Sequence, residues 1–161
     1  MIRRLSTLGP AFTLSVALAG CAATVTVQPA ASANDPRCAD VSVRVPDTID
    51  DLPRRWTDAQ ATAAWGDPTA VVFSCGLEPP APTTLQCVTI GGVDWIVDET
   101  DTPNLRLTTY GRQPAAQAYV DTTVISADQV LGALAGAVHQ LPTTGACTAP
   151  DSDTPQGEDA P

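Results

Sequence analysis

His139 is the only histidine in the chain and the first residue to consider for chemistry. An imidazole can act as general base for a hydroxyl such as that of Ser126. No G-x-S-x-G or comparable nucleophile motif accompanies it. Near the end of a helical segment it also fits as a boundary side chain at the negative end of the helix dipole. Asp98, Glu99 and Asp101 form one acidic cluster, and Asp47, Asp50 and Asp51 another. Neither follows the spaced ligand pattern of an EF-hand loop, so both read as solvated loops and no metal site is assigned. Glycine motifs for phosphates or dinucleotides are absent, and no cofactor is expected. Of the three tryptophans, Trp95 reads as core and Trp65 as the anchor of a short helix. Trp56, beside Arg54 and Arg55 in a loop, is the candidate for a surface contact. Arg112 next to Tyr110 can grip a carboxylate or phosphate of a partner, but a structural salt bridge holding the turn is the expected role. These residue types favour contact over catalysis.

Five cysteines carry the clearest chemistry. The chain opens with Arg3 and Arg4, continues through an apolar stretch from Leu8 to Gly20, and has no acid before Asp35. That is the layout of a secretory signal. Its apolar part is shorter than the ~20 residues that span a bilayer. Leu18-Ala19-Gly20-Cys21 resembles the lipobox of bacterial lipoproteins, in which the cysteine thiol is lipidated and the bond before it is cut. Only cysteine supplies the nucleophilic sulfur for that thioether. Lipid on Cys21 is therefore expected to hold the chain on the outer face of the cell membrane, and the diacylglycerol that the resemblance implies provides the two acyl chains that stable anchoring requires.

Cys38, Cys75, Cys87 and Cys147 remain, an even number that reads as two disulfides with three possible pairings. Sequence proximity favours Cys75–Cys87 across a Pro-rich loop, and Cys38–Cys147 tying the start of the domain to its end. On the loop-entropy model these contribute about 3 and about 5 kcal/mol. No pair has the C-x-x-C spacing of a zinc site.

Removing residues 1–20 would leave six arginines against 18 acids, a net charge of −12 with no lysine. So acidic a surface argues against nucleic acid and against attraction to anionic lipid, which leaves the lipid as the attachment. Residues 21–34 read as the lipidated cysteine and a flexible tether, 35–147 as one domain, and 148–161 as a disordered acidic, Pro-rich tail.

Within the domain, Val41–Val45 alternates like a strand. Thr57 and Gln60 suggest a capping box that opens a short helix through Trp65. Val71–Cys75, Leu85–Ile90, Val93–Asp98, Asn104–Tyr110 and Ala115–Asp121 read as strands. Gly91-Gly92 is a two-residue hairpin turn that sets Ile90 opposite Val93 and Val88 opposite Trp95. Ser126 and Gln129 form a second capping box, opening a helix whose apolar face holds Leu131, Leu134, Ala135, Val138 and Leu141. The expected fold is α+β: an antiparallel sheet of about five to six strands with one short and one longer helix packed on a face, stapled by disulfides.

Trp65-Gly66-Asp67-Pro68, Cys75-Gly76, Val93-Asp94-Trp95 and Thr109-Tyr110-Gly111-Arg112-x-Pro114 occur in an order that resembles an actinobacterial envelope family, domain of unknown function 3515. The likeness runs from about Cys38 to Pro142. It implies an exported, membrane-attached protein and supplies no activity, ligand or catalytic residue. Members of that family carry an arginine before the cysteine that matches Cys75, where this chain has Ser74. A ligand or salt bridge resting on that arginine would be missing here.

The leading expectation is a non-catalytic, lipid-anchored module that meets an envelope protein or ligand. An envelope hydrolase using His139 and a purely structural envelope component are the alternatives.

Overall fold

The computed structural model describes residues 24–148. Its frame is one antiparallel sheet built from two consecutive meanders. The first comprises β1 (Thr48–Ile49), β2 (Leu52–Arg55), β3 (Thr62–Trp65) and β4 (Val71–Leu77). The second comprises β5 (Cys87–Ile90), β6 (Val93–Asp98), β7 (Asn104–Thr109) and β8 (Ala115–Asp121). β8 pairs with β4, giving the order β1-β2-β3-β4-β8-β7-β6-β5. Helices α1 (Pro36–Ser42) and α2 (Ala127–Val138) cover one face and touch each other. Between them and the sheet lies the core, with Trp65, Phe73, Trp95 and Leu107 from the strands and Val41, Leu131, Leu134 and Leu141 from the helical side.

Local sequence accounts for several of these elements. Gly91 and Gly92 have φ of 59° and 74°, the left-handed pair that a two-residue turn needs to follow strand twist. The resulting register sets Val88 opposite Trp95 and Ile90 opposite Val93, as the turn spacing predicts. Ser126 is the N-cap of α2, its Oγ accepting from Gln129 N at 3.3 Å. Leu131, Leu134, Ala135, Val138 and Leu141 are all buried, the period of a helix laid on a sheet. Each fully buried leucine or valine there contributes about 1.5–3 kcal/mol over an exposed one.

Three expectations change. Val41–Val45 is not a strand: α1 ends at Ser42 and a turn follows. Asp35 caps α1 by accepting from Arg37 N, and Pro36 fits its first turn. Burial separates the two periods. Val41 and Val45 are buried, four residues apart, while Val43 between them is 78% exposed.

The helix expected from Thr57 to Trp65 is instead a turn followed by β3. Ala63 and Ala64 are good helix formers, but here they pair with Phe73 and Val72 of β4, and all four residues of β3 are buried. The sheet accordingly has eight strands, with β1 and β2 too short to carry a periodic signal.

The disulfides join Cys38 to Cys75 and Cys87 to Cys147, not Cys75 to Cys87 and Cys38 to Cys147. Three strands stand between β4 and β5, a span of roughly 19 Å at ~4.8 Å per strand step. The Pro79-Pro80-Ala81-Pro82 stretch is part of the link between the two meanders and does not close a local loop. Cys75 faces the helical side and meets Cys38 of α1, with Cα atoms 5.6 Å apart. Cys87, on the far edge strand, meets the C-terminal segment, with Cα atoms 6.1 Å apart.

Residues 25–34, within the segment expected as a tether, lie against the domain. Val25 N donates to Trp56 O at 2.8 Å, Ser32 N donates to Gly76 O at 2.9 Å, and Ala33 is buried. Gly76 permits that approach. With φ of +105° it has a conformation side chains rarely adopt, and a Cβ there would stand 2.5 Å from the Ala33 nitrogen.

Candidate functional site

A cleft of about 450 Å³ opens beside β2 and the turn that leads to β3, lined by Asp47, Arg54, Arg55, Trp56, Thr57, Ala59 and Thr62. β2 positions its upper wall. Arg54 lies opposite Trp65 and Arg55 opposite Ala64, so the hairpin with β3 fixes the backbone from which Trp56 leaves the sheet. Trp65 fills the core below, its Nε1 donating to Pro46 O at 3.0 Å. Trp56 is 80% exposed. The two arginines differ. Arg55 Nη1 is 3.2 Å from Asp67 Oδ1 and 3.3 Å from Gly66 O. Arg54 is exposed, and its guanidinium has no hydrogen-bond or ion-pair partner among the described residues.

The floor is held together by its own bonds. Thr62 Oγ1 donates to Ala59 O at 2.6 Å and lies 2.8 Å from Thr57 Oγ1. Next to the cleft, the N-terminal segment is stitched to the same turn. Thr57 forms a parallel bridge with Val25, and Val27 N donates to Asp58 Oδ1 at 2.9 Å. That amide, with a smaller contribution from the Thr26 hydroxyl, holds the Asp58 carboxyl below its ordinary pKa. The arrangement offers a flat indole and an available guanidinium beside bonded hydroxyls. It suits contact with a ligand or surface, and provides no activated nucleophile.

The other surface candidates do not join Trp56. Tyr110 follows β7, four strand steps from β2, and lines a separate hollow with Leu85, Ile96 and the Cys87–Cys147 pair. Arg112 is only 8% exposed, and its Nη1 donates to Leu141 O at 2.7 Å. It fastens the Tyr110–Pro114 turn to the end of the α2 segment through a carbonyl, where a salt bridge was expected.

His139 is the C-cap of α2, and its Nε2–H donates to Gly91 O at 2.9 Å. Ser126 caps the opposite end, roughly 20 Å away at 1.5 Å per residue, so the structure does not pair them. Of the acidic clusters, Asp98 accepts from the amide and hydroxyl of Thr100, which lower its pKa, and Asp101 bonds Arg106 at 2.6 Å. Cys21 and the Leu18, Ala19 and Gly20 before it lie outside the described residues. No helix among the described residues is long and apolar enough to cross a membrane.

Sequence reasoning singled out Trp56 with its two arginines but missed Asp47, Ala59 and Thr62. Ala59 and Thr62 reach the cleft through the turn and strand that stand where a helix was expected at 57–65, and Asp47 through its pairing with Arg54, whose N donates to Asp47 O at 2.8 Å.

The family model described as "Protein of unknown function (DUF3515)" matches residues 12–146. The chain belongs to this family. No curated protein and no solved structure matches it. In this DUF3515 member, the motifs that carry the resemblance are framework. Trp65 and Trp95 are buried, Asp67 receives Arg55, and Cys75 is bonded to Cys38. Asp94 accepts from the Thr89 hydroxyl at 2.6 Å and from Cys147 N at 2.8 Å, tying the β5–β6 hairpin to the C-terminal segment. Thr109 Oγ1 accepts from Ala116 N at 2.9 Å. None of these DUF3515 motif residues lines the Trp56 cleft.

Proposed function

We propose that the chain is a lipid-anchored, extracytoplasmic, non-catalytic binding or accessory module of the bacterial cell envelope, with the Trp56 cleft as its contact surface. The lipobox-like Leu18–Cys21 supports the anchor. The observation that carries the contact role is Trp56 itself, an indole 80% exposed beside the guanidinium of Arg54, which has no partner among the described residues. Exposed apolar rings with a polar edge are typical anchors of recognition surfaces. The bonded threonines of the floor favour holding a partner over transforming it.

The test is photo-crosslinking in intact cells from a reactive side chain at position 56, with position 124, also exposed, as control. Adducts are expected from 56 and not from 124. Equal background labelling from both would sink the contact role. Fractionation of Cys21→Ser checks the anchor separately: the substituted chain is expected to leave the membrane fraction.

A further inference from the structure

We propose that the face carrying Trp56 and Arg54 rests in the headgroup layer of the bilayer to which the chain is attached. This rests on the reading of Cys21 as the lipidated residue.

Chain geometry makes the first argument. Val25 is bonded to the backbone of Trp56, N to O at 2.8 Å, and Asp58 N donates back to Val25 O at 3.3 Å. Only four residues lead from Cys21 to Val25, a span of at most about 14 Å at ~3.6 Å per residue. With one strand spacing of ~4.8 Å added between Val25 and Trp56, the strand end bearing Trp56 is thus held within roughly 19 Å of Cys21. The headgroup layer of one leaflet is itself ~5–7 Å deep. A domain fastened at this point cannot turn the opposite end of its sheet to the membrane without first releasing residues 25–27.

The second argument is what the tethered face offers. Trp56 is 80% exposed, whereas Trp65 and Trp95 are fully buried. An amphipathic indole is the side chain enriched where hydrocarbon meets headgroups. After residue 4, Arg54 and Arg55 are the only adjacent cations in the chain. Arg55 is engaged with Asp67, so Arg54 is the guanidinium left to meet a lipid phosphate. Asp47 lines the same cleft and Asp58 follows Trp56 by two residues, so the indole and the Arg54 guanidinium, and not net charge, carry the contact.

The burial of the other two tryptophans makes the test direct. The mature chain, purified from membranes with its lipid, is reconstituted into phosphatidylethanolamine–phosphatidylglycerol vesicles whose acyl chains carry bromine. The Trp56→Phe protein is prepared in the same way. We expect a loss of tryptophan emission in the parent that Trp56→Phe lacks, together with reduced access of acrylamide to Trp56.

Equal bromine quenching of the two proteins, with lipid on Cys21 confirmed by mass, would overturn the inference while leaving the anchor intact. An unmodified Cys21 thiol would remove the anchor and the inference together. Protein adducts from position 56 in cells, with no quenching on vesicles, would assign the face to a protein partner instead.

Discussion

Asp58 shows how one exposed carboxylate can decide where a terminal segment lies. Its Oδ1 accepts the Val27 amide at 2.9 Å, and that bond lowers its pKa below the ordinary 3.8. A carboxylate whose folded pKa is depressed contributes stability above its unfolded pKa, and the contribution is lost as the pH falls through the folded value. Docking of residues 25–27 should therefore be complete at neutral pH and loosen below pH 3.8. Amide exchange at Val27, corrected for its intrinsic pH dependence, should lose protection on acidification earlier than that of core residues such as Phe73. Protection unchanged between pH 6 and the acid unfolding of the domain would remove Asp58 from this role. Arg112 shows the reverse relation between appearance and use. An arginine beside a tyrosine looks like a ligand grip, yet its place is buried and its hydrogen goes to the Leu141 carbonyl.

Helix α2 presents its apolar face as its period requires, but its outer face carries Gly132 and Gly136. A Cβ at either position meets nothing within 4 Å. Glycine in a helix interior costs about 0.8–1.0 kcal/mol relative to alanine. Gly132→Ala and Gly136→Ala should each raise stability by roughly that amount, read as a higher urea midpoint with an unchanged slope. A fall in midpoint would mean that an outer-face neighbour is crowded. α1 is a smaller element with a different support. Seven residues are too few to stand alone, and the Cys38–Cys75 bond with burial of Val41 holds them to β4 and the core. The hairpin of β2 and β3 is the element on which the cleft depends, because it presents Trp56 outward while placing Trp65 inward.

At the scale of the molecule, the two disulfides close loops of 37 and 60 residues. Loop entropy assigns each roughly 4 kcal/mol. Reduction should therefore lower the unfolding midpoint strongly, and proteolysis of the unreduced chain should release Cys38 linked to Cys75 and Cys87 linked to Cys147. Recovery of a Cys75–Cys87 peptide would contradict the strand order itself. The bonds also secure both ends of the domain: Cys38 fixes α1 just after the N-terminal segment, and Cys147 fixes the C-terminal segment to the edge strand.

Residue order alone determined the features that rest on neighbours in the chain. These are the Gly91-Gly92 hairpin and its register, the Ser126 cap, the apolar face of α2, and Trp56 as an outlying aromatic. Each depends on contacts a few residues apart, so local chemistry suffices to specify it. The tertiary structure decided what depends on distant partners. Val41 became part of a helix, and Val45 part of the turn after it, because α1 is capped by Asp35 and tied to β4. Ala63 and Ala64 became strand because β4 offered an edge for them to pair with. Cys75 met Cys38 and not Cys87 because β8, β7 and β6 stand between β4 and β5. The cleft was legible as Trp56, Arg54 and Arg55, but Asp47 was brought to it by pairing with Arg54, 7 residues on, and the docked Val25 by pairing with Trp56, 31 residues on, which no local periodicity records.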